Sequence, residues 1–304
     1  MPATTAPPPE ANASIPASDR AGFYRDNGYL VVEDAFTPDE VAALNAEALG
    51  ICRGDFGAYG GWQGPHLSES ADEIMRRYLC IHFPHKIGPR CRAAVGQRVM
   101  VEALTQIIGP NVKCMQSMLF IKAAGKPGQA WHQDEDYIPT RDRSLVGGWI
   151  ALDNATIENG CLWVIPGSHK PGILWPQRDH TDRQFDCSEE SFHFPYCDSD
   201  AVPVPVKAGT IVFFNGYLLH RSLRSVATTG YRRALVNHYM SAESFLPWNC
   251  PKPGESMAKQ DYRDIIMVAG NDPYAYKGVV EEAKPYVRAS GEGGCEKWTK
   301  PKTD

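Results

Sequence analysis

The stretch WHQDEDY, residues 131–137, sets a histidine, acidic side chains and two aromatics within seven positions. In an extended chain, side chains at i and i+2 share a face, so His132 and Asp134 can grip one metal ion while Gln133 points elsewhere. Two imidazoles and one carboxylate on a single face, with open positions opposite, are the donor set of non-haem Fe(II) sites that use O2. An isolated H-x-D is more often a polar loop. His180-Thr181-Asp182 repeats the spacing inside PQRDHTDRQFD, a polar stretch with no apolar run to hold it rigid. His132 instead follows the strand-like MQSMLFIKA and a Gly-rich turn, which suits the mouth of a barrel. Metal sites are tightest on rigid elements, so the pair at 132 and 134 is favoured.

A second histidine must come from a distant strand. His169, His193, His220 and His238 are candidates. His220 ends GTIVFFNGYLLH, the strongest β run in the chain, and position favours it without excluding the others. His169 lies in the turn-like PGSH, and His238 has the position of a core histidine within YRRALVNHYMS. In that same run, period two puts Arg232, Ala234, Val236, His238 and Met240 on one face, which looks inward because it is otherwise small and apolar. An inward arginine needs an anion, either a buried aspartate or a ligand. A planar guanidinium binds a carboxylate through two parallel hydrogen bonds, as a dicarboxylic cosubstrate would require. Arg233 points to the other face, where its replacement should cost little.

The elements that must position these residues are short. From residue 114, the runs CMQSMLFIKA, VGGWIALDNAT, CLWVIPGSH, GTIVFFNGYLLH and YRRALVNHYMS are separated by Gly, Pro, Asn and Asp. Helix-length patterns are missing between most of them, so the arrangement is antiparallel β, a barrel or jelly roll, rather than a βαβ series. With 27 glycines and 24 prolines, the composition favours the same turn-rich class. Helices are expected earlier: one in DRAGFYRDN, one in TPDEVAALNAEAL with a Thr37–Glu40 capping box, and one over 92–108.

The organisation expected is a disordered Pro/Ala-rich tail at 1–18, one domain over 19–288, and a flexible tail at 289–304. Within the domain, 171–206 reads as a long insertion that covers the substrate. The net charge of −5 argues against nucleic acid and anionic membranes as partners. No apolar run nears the roughly 18 residues that a membrane span needs. Nine scattered cysteines without a C-x-x-C pair argue against a disulfide framework and a Cys-type zinc site. Together with the absence of a signal-peptide pattern, they suggest a reducing, cytoplasmic setting.

Taken together, these residues resemble the phytanoyl-CoA dioxygenase family of Fe(II)- and 2-oxoglutarate-dependent oxygenases. The likeness runs from about residue 20 to 245. It is strongest in WHQDEDYIPTRDRSLVGGWIALDNATIENGCLWVIPGSHK and in GTIVFFNGYLLHRSL followed by GYRRA. The resemblance implies a double-stranded β-helix with flanking helices. It implies iron ligands His132, Asp134 and His220, with Arg232 and Ser222 on the far carboxylate of 2-oxoglutarate. Gln133 and Trp149 fall where the family places further cosubstrate contacts. It also implies consumption of O2, release of succinate and CO2, and stimulation by ascorbate. Since Asp134 is present, hydroxylation is expected over halogenation, for which related enzymes replace the carboxylate with a small residue. Desaturation, epoxidation and cyclisation share the same oxidant. A small-molecule substrate is expected, whereas oligomeric state and any CoA linkage are not legible. The competing readings are a cupin-like metal enzyme without 2-oxoglutarate and a non-catalytic β-barrel binding module. Neither needs Arg232 and Ser222 beside a metal.

Overall fold

The computed structural model describes residues 15–64, 68–186, 189–248, 256 and 260–290. Most of the two expected tails lies outside them, although Ala17–Asp19 already forms a 3-10 turn. Helix α1 (Arg20–Asn27) leads into β1 (Tyr29–Val32), and α2 spans Pro38–Arg53. The Thr37 side chain accepts from the Glu40 amide and the Glu40 carboxylate accepts from the Thr37 amide, so the expected capping box closes both orphan donors. Helix α3 (Ala71–Arg76) starts with a second box, Ser70 and Glu73, and leads to β2 (Tyr78–His82). The single helix expected over 92–108 is two, α4 (Pro89–Val95) and α5 (Arg98–Ile107). Gln97 makes the break by folding its side-chain oxygen onto the Val99 and Met100 amides, which starts a new helix. The buried Glu47 carboxylate on α2 accepts from the Arg90 and Cys91 amides and so closes the start of α4.

The β region follows as β3 (Val112–Ala123), β4 (Gln129–His132), a single turn α6 (Asp134–Tyr137), β5 (Val146–Ala151) and β6 (Leu162–Val164). Next come β7 (Gln177–Asp179), β8 (Glu189–Ser191), β9 (Val202–Val204), β10 (Ile211–Asn215), β11 (His220–Ser222), β12 (Tyr231–Ser241), β13 (Ile266–Ala269) and β14 (Tyr286–Ala289). The larger sheet has the order β1-β10-β5-β12-β3-β2-β14, with β13 also on β3, and the smaller has β4-β11-β6-β9. Their inner faces meet in a core of Trp149, Val212, Phe214, Ala234 and Val236 against Leu162, Val164 and Val204. The outer face of the larger sheet is also buried: Ile150, Phe213, Leu235 and Tyr239 pack on Leu44, Met100 and Leu104 of α2 and α5. Each such large apolar side chain contributes about 1.5–3 kcal/mol by leaving water. The whole is a double-stranded β-helix, two facing antiparallel sheets with helices against one outer face. Among the described residues, no helix is long and apolar enough to cross a membrane, and six cysteines stand outside any disulfide, five of them buried.

Three boundaries differ from those read in the sequence. GTIVFFNGYLLH is not one strand. The chain turns at Asn215, which accepts from the Leu218 amide through its carbonyl and from the Tyr217 amide through its side chain, so β10 lies in the larger sheet and β11 in the smaller. His220 therefore begins a strand. The insertion at 171–206 gives back its last part to the barrel, because β9 pairs with β6, while β7 and β8 form a hairpin of their own. At the other end, β14 pairs with β2 and extends to Ala289, one residue into the stretch read as a tail.

Strand β12 keeps its period: Arg232 is buried in the barrel and Arg233 lies on the helix-covered face. The expectation that Arg233 is dispensable needs correction. Its guanidinium makes two bonds to Asp153, at 2.8 and 2.7 Å, and its own amide donates to the same carboxylate. The pair is only about one-fifth exposed, between the surface case worth under about 1 kcal/mol and the buried case worth about 3–5. Arg233→Ala should lower stability by about 1–2 kcal/mol in urea denaturation. A loss below about 0.5 kcal/mol would mean that the pair contributes no more than an ordinary surface residue.

Candidate active site

The smaller sheet brings two imidazoles together by register alone. In the antiparallel pairing of β11 with β4, His220 stands directly opposite His132, and the ring centroids are 4.1 Å apart. Each Nδ1 faces a backbone carbonyl two residues upstream, His132 on Ala130 at 2.7 Å and His220 on Leu218 at 3.0 Å. A carbonyl only accepts, so each Nδ1 carries a proton, and in the neutral ring the lone pair then lies on Nε2. The chain is extended at Gln133 and then turns into α6, which swings Asp134 across the two rings. Asp134 Oδ1 lies 3.7 Å from His132 Nε2 and 3.6 Å from His220 Nε2. Among the described residues these three form the group whose ligand atoms gather closely enough for a metal ion, within 4.8 Å of one another.

Electrostatics prepare the same set. Burial pushes His220 down to about 4, helped by His132 and opposed by Asp134, so its ring is neutral at physiological pH. Burial works against the Asp134 charge, yet His220, the His238 hydrogen bond and His132 together hold its carboxyl below the ordinary range. A neutral imidazole and an ionised carboxylate are the forms that bind a metal. Phe214 supports the His220 ring at a centroid distance of 4.6 Å. That ring needs Gly147 beneath it, because a Cβ there would lie 2.4 Å from Phe214.

The other candidates go elsewhere. His180 and Asp182 form a local exposed contact, with the Asp182 amide donating to His180 Nδ1 at 3.2 Å. His169 Nε2 faces the Arg25 carbonyl, and His193 stacks on Phe192. His238 is no bystander: its Nε2 lies 3.0 Å from Asp134 Oδ2. The two carboxylate oxygens are thus divided, Oδ1 toward His132 and His220 and Oδ2 toward His238. The sequence offered His238 as a rival ligand or a core residue. Its role depends on where α6 puts Asp134, for which the sequence carries no signal.

Gln133 also needs correction as a cosubstrate contact. Its two amide hydrogens go to the Ile173 and Tyr217 carbonyls, and its oxygen accepts from the Trp175 amide. No donor is left for a carboxylate, and the side chain instead ties the insertion to the barrel. Beside that tie, Trp175, Phe194 and Tyr196 pack on Trp131, Ile165 and Leu219.

Ser222, Trp149 and Arg232 gather further along the inner face. Ser222 lies two residues beyond His220, about 6–7 Å along the strand. Arg232 is 4% exposed, with its guanidinium over the Trp149 ring at 5.6 Å and its Nε without a partner. Across the ladder from Arg232 stands Lys122, whose ammonium donates to Ser222 Oγ at 3.0 Å. Sequence reading passed over Lys122, although the period that runs through Gln116, Met118 and Phe120 in β3 puts it on the inner face. A small cleft opens here, lined by Lys122, Gln129, Ser222 and Arg232 together with Asp186 and Arg288.

His238 sets a prediction. A partner that orients a ligating carboxylate is worth about ten- to a hundredfold in metal affinity. His238→Leu should weaken Fe(II) or Co(II) binding by that factor in a competition titration, and His238→Gln, which restores an N–H donor, should recover most of it. Equal losses in both variants would show that His238 only fills space.

Comparison with known proteins agrees with this architecture. The family model described as Phytanoyl-CoA dioxygenase (PhyH) matches residues 24–234. A rice (Oryza sativa subsp. japonica) protein named Phytanoyl-CoA dioxygenase 1 is 37% identical over 131 residues, 42% of this chain and 45% of the rice chain, so the match spans less than half of that relative. The zebrafish (Danio rerio) Phytanoyl-CoA dioxygenase domain-containing protein 1 is 34% identical over 270 residues, 73% of this chain and 89% of its own. Among solved structures, the non-heme monooxygenase ThoJ has a TM-score of 0.62 at 21% identity and covers 84% of this chain and 85% of its own. The non-heme alpha ketoglutarate dependent epimerase SnoN has 0.58 at 17%, covering 81% and 93%. At such identities the solved structures speak for the fold alone, while the family match extends from α1 into β12 and takes in both halves of the site. The chain therefore belongs to the phytanoyl-CoA dioxygenase family.

Proposed function

We propose that this protein is an Fe(II)- and 2-oxoglutarate-dependent oxygenase that hydroxylates an unactivated C–H bond of a small molecule, with release of succinate and CO2. The observation that carries the proposal is Arg232. It is a buried guanidinium with no carboxylate partner among the described residues, set in the same barrel as a His-Asp-His cluster. A buried charge without a counterion is strongly unfavourable, so a ligand anion is expected there. A metal enzyme without a dicarboxylic cosubstrate has no use for it, and a binding module has no use for the metal cluster.

The residues fit iron. Two imidazoles and a carboxylate whose ligand atoms gather within 4.8 Å are the donor set that suits Fe(II) and leaves positions open. His132, Asp134 and His220 would hold the ion, and Arg232 and Ser222 would take the far carboxylate of 2-oxoglutarate. The spacing along β11 suits a five-carbon diacid held at both ends. Bound iron would supply the chemistry that joins O2 reduction to decarboxylation of the 2-oxo acid. The protein's part is to orient and to exclude water. Trp149 supports the Arg232 guanidinium, His238 fixes the Asp134 carboxylate, and Gln133 holds the insertion as a cover beside the metal site. The retained Asp134 carboxylate favours hydroxylation over halogenation. The rice and zebrafish relatives are named for phytanoyl-CoA, whereas SnoN is an epimerase of the same fold, so the fold does not fix the substrate.

Two measurements test the proposal. Succinate release with Fe(II), O2 and ascorbate should respond to members of a small-molecule panel. His132→Ala, Asp134→Ala and His220→Ala should each abolish it and weaken Fe(II) binding, whereas His180→Ala should leave the metal bound. Retention of iron by the first three variants would sink the ligand assignment.

The second concerns Arg232. Losing one partner of a buried charge pair costs about 3–5 kcal/mol, or about two to three and a half powers of ten in affinity. Arg232→Ala should therefore raise the 2-oxoglutarate requirement about a hundredfold or more. Arg232→Lys should rescue only part, because an ammonium cannot form the two-bond fork. Arg233→Ala, despite its effect on stability, should leave the requirement unchanged. If Arg233→Ala proves the damaging change for cosubstrate, the anchor is misassigned.

A further inference from the structure

We infer that Lys122 is a second carboxylate anchor of the 2-oxo acid site, one that holds Ser222 as a hydrogen-bond donor and selects a dianionic 2-oxo acid. The inference rests on the 2-oxoglutarate reading and goes beyond it by naming what sets cosubstrate selectivity.

The geometry begins with Ser222. Its Oγ accepts from Lys122 Nζ at 3.0 Å and from the Gln129 amide at 3.3 Å. A hydroxyl has two lone pairs and one hydrogen, so both acceptor sites are filled and the O–H must donate elsewhere. Lys122 also donates to the Leu223 carbonyl at 2.7 Å. In its charged form, which a bound anion favours, the ammonium has three hydrogens, and two are now assigned. The Ser222 O–H, the third Lys122 N–H and the Arg232 guanidinium are thus all free for one acceptor in the same cleft.

The buried Arg232 guanidinium, whose Nε has no partner, calls for an anion as that acceptor. Lys122 is 6% exposed and stands opposite Arg232 in the β12–β3 ladder. Nearby carboxylates are already committed, Asp153 to Arg233 and Asp186 to Arg288. Among the described residues neither Lys122 nor Arg232 has an ion-pair partner. Burial pushes the Lys122 ammonium well down and the Arg232 charge pushes it further, and a bound carboxylate would oppose both. The backbone makes room for this head group: at Gly160, with φ of +85°, a Cβ would lie 2.8 Å from Lys122 Nζ and 2.4 Å from the Leu223 carbonyl. A 2-oxo monoacid could offer a metal the same chelating end but would leave both cations unpaired.

The test compares 2-oxoglutarate with 2-oxobutyrate, which lacks the distal carboxylate, by calorimetry on the Fe(II)-loaded protein without O2. The wild type should prefer 2-oxoglutarate strongly. Lys122→Met should weaken 2-oxoglutarate by about ten- to a hundredfold, the worth of a hydrogen bond to a charged group, and should shift 2-oxobutyrate by less than about threefold. Lys122→Gln, which keeps a donor without the charge, should fall between, and it carries the same test if the methionine variant does not fold. Selective loss for the diacid supports the inference. Unchanged 2-oxoglutarate affinity, or equal loss for both acids, overturns it. A wild type that does not distinguish the two acids would instead sink the 2-oxoglutarate reading itself, so the two failures are separable.

Discussion

The pairing of β4 with β11 is the constraint on which the site depends. It sets His220 opposite His132 with no side-chain adjustment, because residues facing each other across an antiparallel ladder share a face. A slip of one residue would turn one imidazole out of the barrel. The register is guarded from both sides. On one, β11 pairs residue by residue with β6. On the other, the turn after β10 is fixed by Asn215, so the entry of β11 is set by the larger sheet. Asp134 then needs only the single turn of α6 to join them.

Charge is distributed through the barrel with the same economy. On the helix-covered face of β12, Arg233 is satisfied by Asp153. On the cavity face, Arg232 and Lys122 have no such partner among the described residues. Neighbouring cations on one strand are thus treated in opposite ways, and the proposed anion would complete the unpaired one. Near the metal cluster the pattern reverses: a carboxylate is surrounded by three imidazoles, one of which binds the oxygen turned away from the other two. A molecule with a metal-chelating end and a carboxylate end matches this polarity.

The additions to the barrel converge on the same two regions. The insertion is tied at Gln133 beside the metal cluster and again at Gly128, which exchanges backbone bonds with Gln184 and Asp186 at the cleft. There Asp186 pairs with Arg288 from β14, so the last described strand lines the cleft beside Arg232. The segment before it is held by ion pairs of its own, Lys86 with Asp264 and Arg263 with Asp272. The insertion, through Asp186, and β14, through Arg288, thus both line the cleft.

What the sequence determined by itself was local. The H-x-D spacing, the capping box at Thr37 and Glu40, and the phase of Arg232 against Arg233 follow from rules that act within a few residues. A long family resemblance extended these to a fold and a ligand set. Only the tertiary structure singled out His220 geometrically from among four distant histidines, because strand register is a contact between segments far apart in the chain and periodicity carries no information about it. It alone assigned His238 to Asp134, spent the Gln133 amide on the insertion, and set Lys122 against Ser222. Each of these depends on a side chain meeting a group from another element, where the available donors and acceptors decide the role. The same reason explains the broken helix at Gln97 and the strand that ended at Asn215: the apolar pattern continued, but a side chain offered the backbone a closer partner.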